Sequence, residues 1–538
     1  MRRGLQVFAL AFVMIGLLFG AIGCGGGESP DPTPDTGTTP PASGEPAILK
    51  VALRNEPASL DHFVHGRGAL GIVDQTIHES LMKFDDDANL VPGYAEEMEI
   101  ISPTHYRFHL RDGLVTHAGN VVDAQFVVDW HEYIWESNKP STSGYVRAHA
   151  EVVDPLTWDL KGEVNLDNWV ARMSLPYMGL DDIIHRQEIG EGAYGENPSG
   201  LGPFKLKEWV RGSHLIFEAF DDYYLGRPQI DEIHYFIIPD AAAQLMALEV
   251  GEVDIITALP PHEVSRVLDA PQLDIVTIHE MRAAQLILNV NDPRGVLSDV
   301  RVRRGLAHAM NSAEFVEVLH PALSPIDGVV HSGVMGHVPG LNHEYDPDLA
   351  EQLLNEAGWE RDGSGWFTKD GRRLAFDIQT SRGQAALDFE ICELVQTQLA
   401  DFGVRVGMQM FEVGAWADLV TSQRTVDVPE LGVITEFFGV RTGDPTIMFN
   451  RMYSTGGLYN IGHFSDPEYD RLSQLAAETF DHEEKLDAFR QMQQIIHDEV
   501  LQWTFGTVNI LYAANADVKG FHVMPPQSIW WTEVWLDR

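Results

Sequence analysis

The chain has 538 residues, with 37 Lys or Arg against 80 Asp or Glu, and a formal net charge of −43. A hydrophobic fraction of 44% with 9% aromatics is enough to build cores for several domains, which excludes a chain disordered throughout. The acidic excess counts against a nucleic-acid partner, because affinity for phosphate comes chiefly from Lys and Arg, and the two cysteines are too few for a disulfide scaffold.

The N-terminus reads Met1-Arg2-Arg3, then an apolar run from Leu5 to Gly20, then Ala21-Ile22-Gly23-Cys24. A short basic stretch followed by about 15 apolar residues has the make-up of a secretory signal. It falls short of the roughly 20 residues a spanning helix needs. The Ala-Ile-Gly-Cys string resembles a bacterial lipobox. That resemblance implies removal of residues 1–23 and a lipid on Cys24. Residues 24–46 are rich in Gly, Pro, Thr and Asp, a solvated tether with a reach of about 25 Å.

From Ala47 onward strands and helices mix. Ile48 to Leu53 reads as a strand, and Tyr106, Phe108 and Leu110 alternate with polar residues as a half-buried strand does. Lys205 to Trp209 and Leu215 to Phe220 read as a hairpin with Gly212 in its turn. A helix is predicted at 299–311 with Asp299 as its cap, and another at 388–402 that ends on Gly403 in the left-handed conformation. Val404, Val406, Met408 and Met410 then switch to period two, making a helix-to-strand unit of an α/β domain. A last helix at 483–500 is predicted to bury Leu486, Phe489, Met492, Ile495, Ile496 and Val500. Cys392 falls on the apolar face of the 388–402 helix, where a thiol is structural.

Catalytic motifs are missing: the sequence has no GxxxxGKS loop, no GxGxxG after a strand, no GxSxG elbow and no HExxH. His331, His337 and His343 lie in a Gly/Pro-rich stretch without the tight spacing of a metal site. Acidic pairs such as Asp181-Asp182 and Asp221-Asp222 read as solvated faces or helix N-terminal charges. Neither a metal nor a cofactor is indicated. These residues alone describe a secreted α/β protein that binds something.

One long stretch narrows this. Gly202-Pro203-Phe204 leads through Trp209 to Asp222-Tyr223-Tyr224-Leu225-Gly226-Arg227-Pro228, then Ile230-Asp231-Glu232-Ile233, Ile237-Ile238-Pro239-Asp240 and Ala247-Leu248-Glu249-Val250-Gly251-Glu252-Val253-Asp254. In order and spacing it resembles the family 5 extracellular solute-binding proteins, the peptide, nickel and oligosaccharide receptors of ABC importers. Asn55-Glu56-Pro57, Phe108-His109-Leu110-Arg111-Asp112-Gly113, Ser298-Asp299-Val300-Arg301 and Asn460-Ile461-Gly462-His463-Phe464 continue the resemblance, which spans 47–538.

The resemblance implies a two-lobed, type II periplasmic-binding-protein fold of class α/β. Lobe I is expected at 47–288 with an inserted subdomain near 86–195, lobe II at 289–507, and a return to lobe I at 508–538. The hinge is expected near Leu288–Asn291 and Phe505–Val508, closing around a small solute in the cleft. A peptide is the leading ligand, because peptide-binding relatives hold the α-amino group with an acidic residue and Glu436 occupies the matching position, followed by Phe437. Arg441 is a candidate carboxylate partner, for the ligand or for Glu436 itself. Trp416 and Phe438 are candidate stacking aromatics, which keeps an oligosaccharide as the alternative; Asn460 and His463 are candidate polar contacts. A nickel or metal-chelate ligand, or a secreted hydrolase, ranks lower. The expected protein is a monomeric, non-enzymatic lipoprotein outside the cytoplasm, working with a membrane permease.

Overall fold

Apolar residues on both faces of Ile48–Leu53 place this strand inside a sheet covered on both sides. The computed structural model describes residues 46–61, 71–85, 89–136, 148–163, 165–175, 178–290, 295–381, 387–412, 415–416, 433–435, 440, 443–524 and 528–538. Ile48–Leu53 runs parallel to Glu232–Ile237 and to the short Ile255–Ile256. Beyond Glu232–Ile237 comes the hairpin of His214–Ala219 and Phe204–Val210, with Gly212 at φ 72° in its turn. That positive φ is what only glycine adopts freely.

Two long antiparallel strands hold the middle of the sheet. Leu273–Leu288 has 16 residues and Gln502–Asn515 has 14. They pair from Leu273 opposite Asn515 to Ile287 opposite Gln502, with register shifts between His279 and Ala283 and between Ala284 and Gln285. On the far side of Leu273–Leu288 lie Val433–Thr435, Ala375–Ser381 and Arg405–Phe411, completing an 11-stranded sheet together with Leu323–Ser324. A separate four-stranded antiparallel sheet is built from Ala95–Ser102, His105–Leu110, Thr157–Lys161 and His149–Asp154. The helix Ala124–Glu136 packs on it, and the two share a core containing Phe108, Trp130 and Trp158.

The helices follow their caps. Asp299 accepts from Arg301 N at 2.9 Å and opens Val300–His308, which buries Val302 and Leu306. Asp388–Asp401 ends ahead of Gly403 at φ 92°, and its strand Arg405–Phe411 follows directly. Cys392 is fully buried there, and burial pushes its thiol up to about 12. Asp481 accepts from Glu484 N and opens His482–Asp498. The buried stripe of that helix is Lys485, Ala488, Phe489, Met492, Gln493 and Ile496, while Leu486 and Ile495 are half-buried. The apolar pattern therefore located the helix and the middle of its inward face, with Phe489, Met492, Ile496 and Val500 buried, and missed its first turn, where a lysine is buried.

Several residues that carried the family resemblance are structural. A Cβ on Gly202 would lie 2.5 Å from the carbonyl carbon of Ile77, so only glycine fits. Gly226 adopts φ 93° after the Tyr223–Tyr224 pair. Thr116 donates to Asp182, as does the amide of Asn120 at 3.0 Å, which closes the turn around His117.

Candidate functional site

Strand direction locates the site. Ile48–Leu53, Glu232–Ile237 and Ile255–Ile256 all run the same way as Leu273–Leu288, because Ile255–Ile256 and Leu273–Leu288 are both antiparallel to Gln502–Asn515. Val433–Thr435, Ala375–Ser381 and Arg405–Phe411 run the opposite way. The carboxyl ends of the two parallel sets therefore face each other along the long pair. One set stops at Ile256, level with Ile275; the other stops at Thr435, level with Leu286. The interval between them is about 30–35 Å of strand at roughly 3.3 Å per residue. Carboxyl ends of parallel strands are where open α/β sheets bind ligands. Here two such edges confront one another across an interval bridged by the long pair.

The bridge is shaped for bending at one place. The register shift between His279 and Ala283 lies opposite Thr507–Asn509, and a shifted register bends a strand pair. On the other edge a Cβ on Gly506 would meet Ser324 O at 2.6 Å. Asn509 fastens the same point from its side chain, donating to Pro321 O and to Ser324 Oγ at 2.7 Å each.

The candidate residues fall unevenly around this interval. Glu436, Phe437, Phe438 and Arg441 lie outside the described residues, as does Cys24. The chain on either side of the first three is described. Thr435 is opposite Leu286, and Val440 N donates to Met281 O at 3.0 Å. Trp416 is 3% exposed in a core with Ile287, Val330, Val334 and Val440, and its Nε1 has no hydrogen-bond partner among the described residues. Asn460 uses its amide on its own turn: Nδ2 donates to Ser454 O at 3.0 Å and Phe464 O at 2.6 Å, and Oδ1 accepts from Phe464 N. Both its donors are occupied by the chain. His463 is half-buried at φ 54°, beside Gly462, which lies against Leu288 O.

The structure also brings in residues that motif reading passed over. Lys485 Nζ lies 2.6 Å from Asp444 Oδ2, with side chains 6% and 4% exposed. The other oxygen of Asp444 accepts from Thr446 N and Thr446 Oγ1. Gly443 N donates to Val440 O, and Met335 N to Gly443 O. The chain just past Val440 is thus tied to the helix His482–Asp498 and to the 325–346 loop. Lys485 stands four residues before Phe489 on the inward stripe, and that spacing was the available signal. Gln285 and Gln379 are also buried near the ends of the second set of strands, with Gln285 Nε2 and Gln379 Oε1 unpartnered. Among the described residues no His, Cys, Asp or Glu group is arranged to hold a metal ion, and no helix is long and apolar enough to cross a membrane. His337 lies 3.0 Å from Asp327, His331 Nδ1 accepts from Gly333 N, and His343 stacks on His497. The three loop histidines therefore take separate partners.

Comparison with known proteins agrees with this geometry. The profile described as "Bacterial extracellular solute-binding proteins, family 5 Middle" matches residues 89–460. The oligopeptide-binding protein AppA of Bacillus subtilis is 23% identical over 571 aligned positions, covering 99% of each chain. The dipeptide-binding protein of Escherichia coli is 25% identical over 469 positions, covering 81% of this chain and 84% of its own. The solved structure of the Bacillus subtilis AppA in complex with a nonapeptide aligns with a TM-score of 0.72 at 22% identity, covering 92% of this chain and 100% of that one.

Proposed function

We propose that this chain, which belongs to the bacterial extracellular solute-binding proteins of family 5, is the receptor of an ABC importer that captures peptides between the two halves of its sheet. The observation that carries the reading is the confrontation of two sets of strand carboxyl ends across the long pair. The facing loops are the natural place for polar groups that hold a solute, and only two strands need to bend to close them. The names of the two relatives above, an oligopeptide-binding and a dipeptide-binding protein, support a peptide as the solute. Closure exchanges cleft water for fixed partners, and the ligand favours the closed form by its differential affinity for it.

In this reading Glu436 takes the ligand ammonium, Phe437 and Phe438 flank the peptide, and Arg441 takes a carboxylate. Their support is chain position, immediately past Thr435 and on either side of the Val440 anchor at Met281. Trp416 shares a core with Val440, and His463 follows Gly462, which lies against Leu288 O at the end of Leu273–Leu288; Asn460 shapes the turn that holds His463. Lobe I is assigned to 47–288 and 508–538 and lobe II to 289–507, with the hinge at the two crossings near 288–291 and 505–508; the register shift between His279 and Ala283 lies opposite Thr507–Asn509, beside the second crossing. A lipid on Cys24, the flexible 24–46 tether, a monomeric state and a permease partner complete the proposal.

Native mass spectrometry of the purified protein, followed by calorimetric titration with di- to pentapeptides, tests it. A co-purified peptide mass and micromolar or tighter peptide binding are expected, weakened at least tenfold in Glu436→Gln. Failure of every peptide to bind, with a glycan or metal chelate recovered instead, refutes the peptide assignment.

A further inference from the structure

Three histidine rings stand in a row where the helices Val300–His308 and His482–Asp498 meet the turn at 341–346. His343 meets His308 edge-on, with centroids 5.4 Å apart and planes at 78°. It stacks on His497 at 4.5 Å and 16°. His308 Nδ1 donates to Glu344 O at 2.6 Å, and Asp346 N donates back to His308 O at 2.9 Å. The row is therefore part of the fastening of this turn.

The place of His343 suits a neutral ring. His343 Nε2 is buried and has no hydrogen-bond partner among the described residues, so an imidazolium there would have an N–H with no acceptor among them. The other charged groups facing it are Arg304 on the first helix, which donates to Asp498 O, and Asp498 on the second, whose Oδ1 lies 3.2 Å from His497 Nδ1. On its own turn Glu344 is exposed, and the Asp346 carboxylate is occupied in capping Leu349 N. One facing carboxylate thus stands against Arg304 and three protonatable rings. Burial first, then His497, His308 and Arg304, push His343 down to about 3.

The loop behind this row reaches the cleft. Gln493 holds it, accepting from Val338 N and donating to Gly336 O. Further along, Met335 N donates to Gly443 O, and Gly333 packs against Met281 Sδ. Met281 and Gly443 belong to the bridge and to the chain just past Val440.

We propose that the His308–His343–His497 row is an acid-released latch, which holds the 325–346 loop against Met281 and Gly443 at neutral pH and lets it loosen as His343 gains a proton. This stands on the geometry of the loop and independently of the solute. The sign follows from linkage. A released His343 returns to the ordinary value near 6.5, whereas the latched ring resists protonation, so the latch is fully held above about pH 6.5 and weakens about tenfold per pH unit below it.

Hydrogen–deuterium exchange of the full chain at pH 7.0 and pH 5.0, corrected for intrinsic rates, tests the latch. Protection of peptides within 325–346 should fall about 30-fold at pH 5.0 relative to those within 388–411. His343→Phe keeps a ring against His497 and takes no proton, so its 325–346 protection should be equal at both pH values. Equal protection at both pH values in the unmodified protein overturns the latch, as does an undiminished acid loss in His343→Phe. Should that variant not fold, His343→Leu, which also takes no proton, carries the same expectation of a flattened pH response, and the unmodified profile alone remains decisive.

Discussion

Removing the ammonium from Lys485 while keeping its stem, as Lys485→Met, isolates the tie between the cleft segment and the last long helix. The pair is 2.6 Å apart and nearly excluded from water. Losing one partner of such a pair costs about 3–5 kcal/mol, because the other charge stays buried. Asp444 would still accept from Thr446 N at 2.8 Å and from the Thr446 hydroxyl, which places the expected loss at the low end, about 3 kcal/mol. Asp444→Asn, which strands the ammonium, should cost a similar amount. The double variant should cost about as much as either single, leaving a coupling energy of about 3 kcal/mol. A chain of this size need not unfold in one step. The assay is therefore local hydrogen exchange over 443–453 and 482–490, where 3 kcal/mol is a loss of protection of about 150-fold. A single variant that costs under 1 kcal/mol, or two singles that simply add, would refute the pinning role.

The outer face of the four-stranded sheet gives an acid-linked prediction. Burial raises the Asp159 carboxyl, but the bidentate Arg107 at 2.7 and 3.1 Å and His105 at 2.8 Å outweigh it and bring it down to about 2. A depressed carboxyl contributes stability that is present above its unfolded value near 3.9 and lost as pH falls toward 2. Asp159→Asn should therefore lose about 1–2 kcal/mol at pH 7 after discounting for the partly exposed partners, and its acid unfolding curve should be shallower between pH 4 and 2. Asp74 is the opposite case: burial, then Asp181 and Asp61, hold its carboxyl well above the usual range, and one oxygen has no partner. Asp74→Asn should raise the thermal midpoint at pH 8 more than at pH 4, since the penalty it removes grows as pH rises; an unchanged or lowered midpoint at pH 8 counts against this. The buried Cys392 should resist a thiol reagent at pH 8 until the protein is unfolded, and labelling at the rate of a free thiol would show that its pocket opens.

Much of the fold was legible because local rules and burial coincide. Asp299 and Gly403 mark helix ends that the structure places within a residue or two, and Gly212 turns the hairpin as its sequence context suggests. The family resemblance likewise rested on residues such as Gly202 and Gly226, whose backbones admit little else. The site was less legible for a physical reason. Its polar groups come from strands far apart in sequence, and nothing local distinguishes a buried Gln285 or Lys485 from a surface one. Asn460 shows a second role that a loop position hides: a polar residue there reads as a ligand contact, and its amide also closes its own turn. Trp416 reads as a stacking platform and sits in a packed core.

The order of strands has a consequence for how the molecule is assembled. Gln502–Asn515 lies at the middle of the 11-stranded sheet and is the last of its strands in the chain. Until it arrives, Ile255–Ile256 and Leu273–Leu288 have no common neighbour, and the two sets of parallel strands are separate fragments with exposed edges. Its contacts with Ile255–Ile256 close loops of some 250 residues, so joining the halves is a late and entropically costly step. A chain that lacks its final segment cannot complete this sheet, although the four-stranded sheet, with a core of its own, does not depend on that strand. The keystone strand thereby makes the joining of the two halves depend on nearly the whole polypeptide.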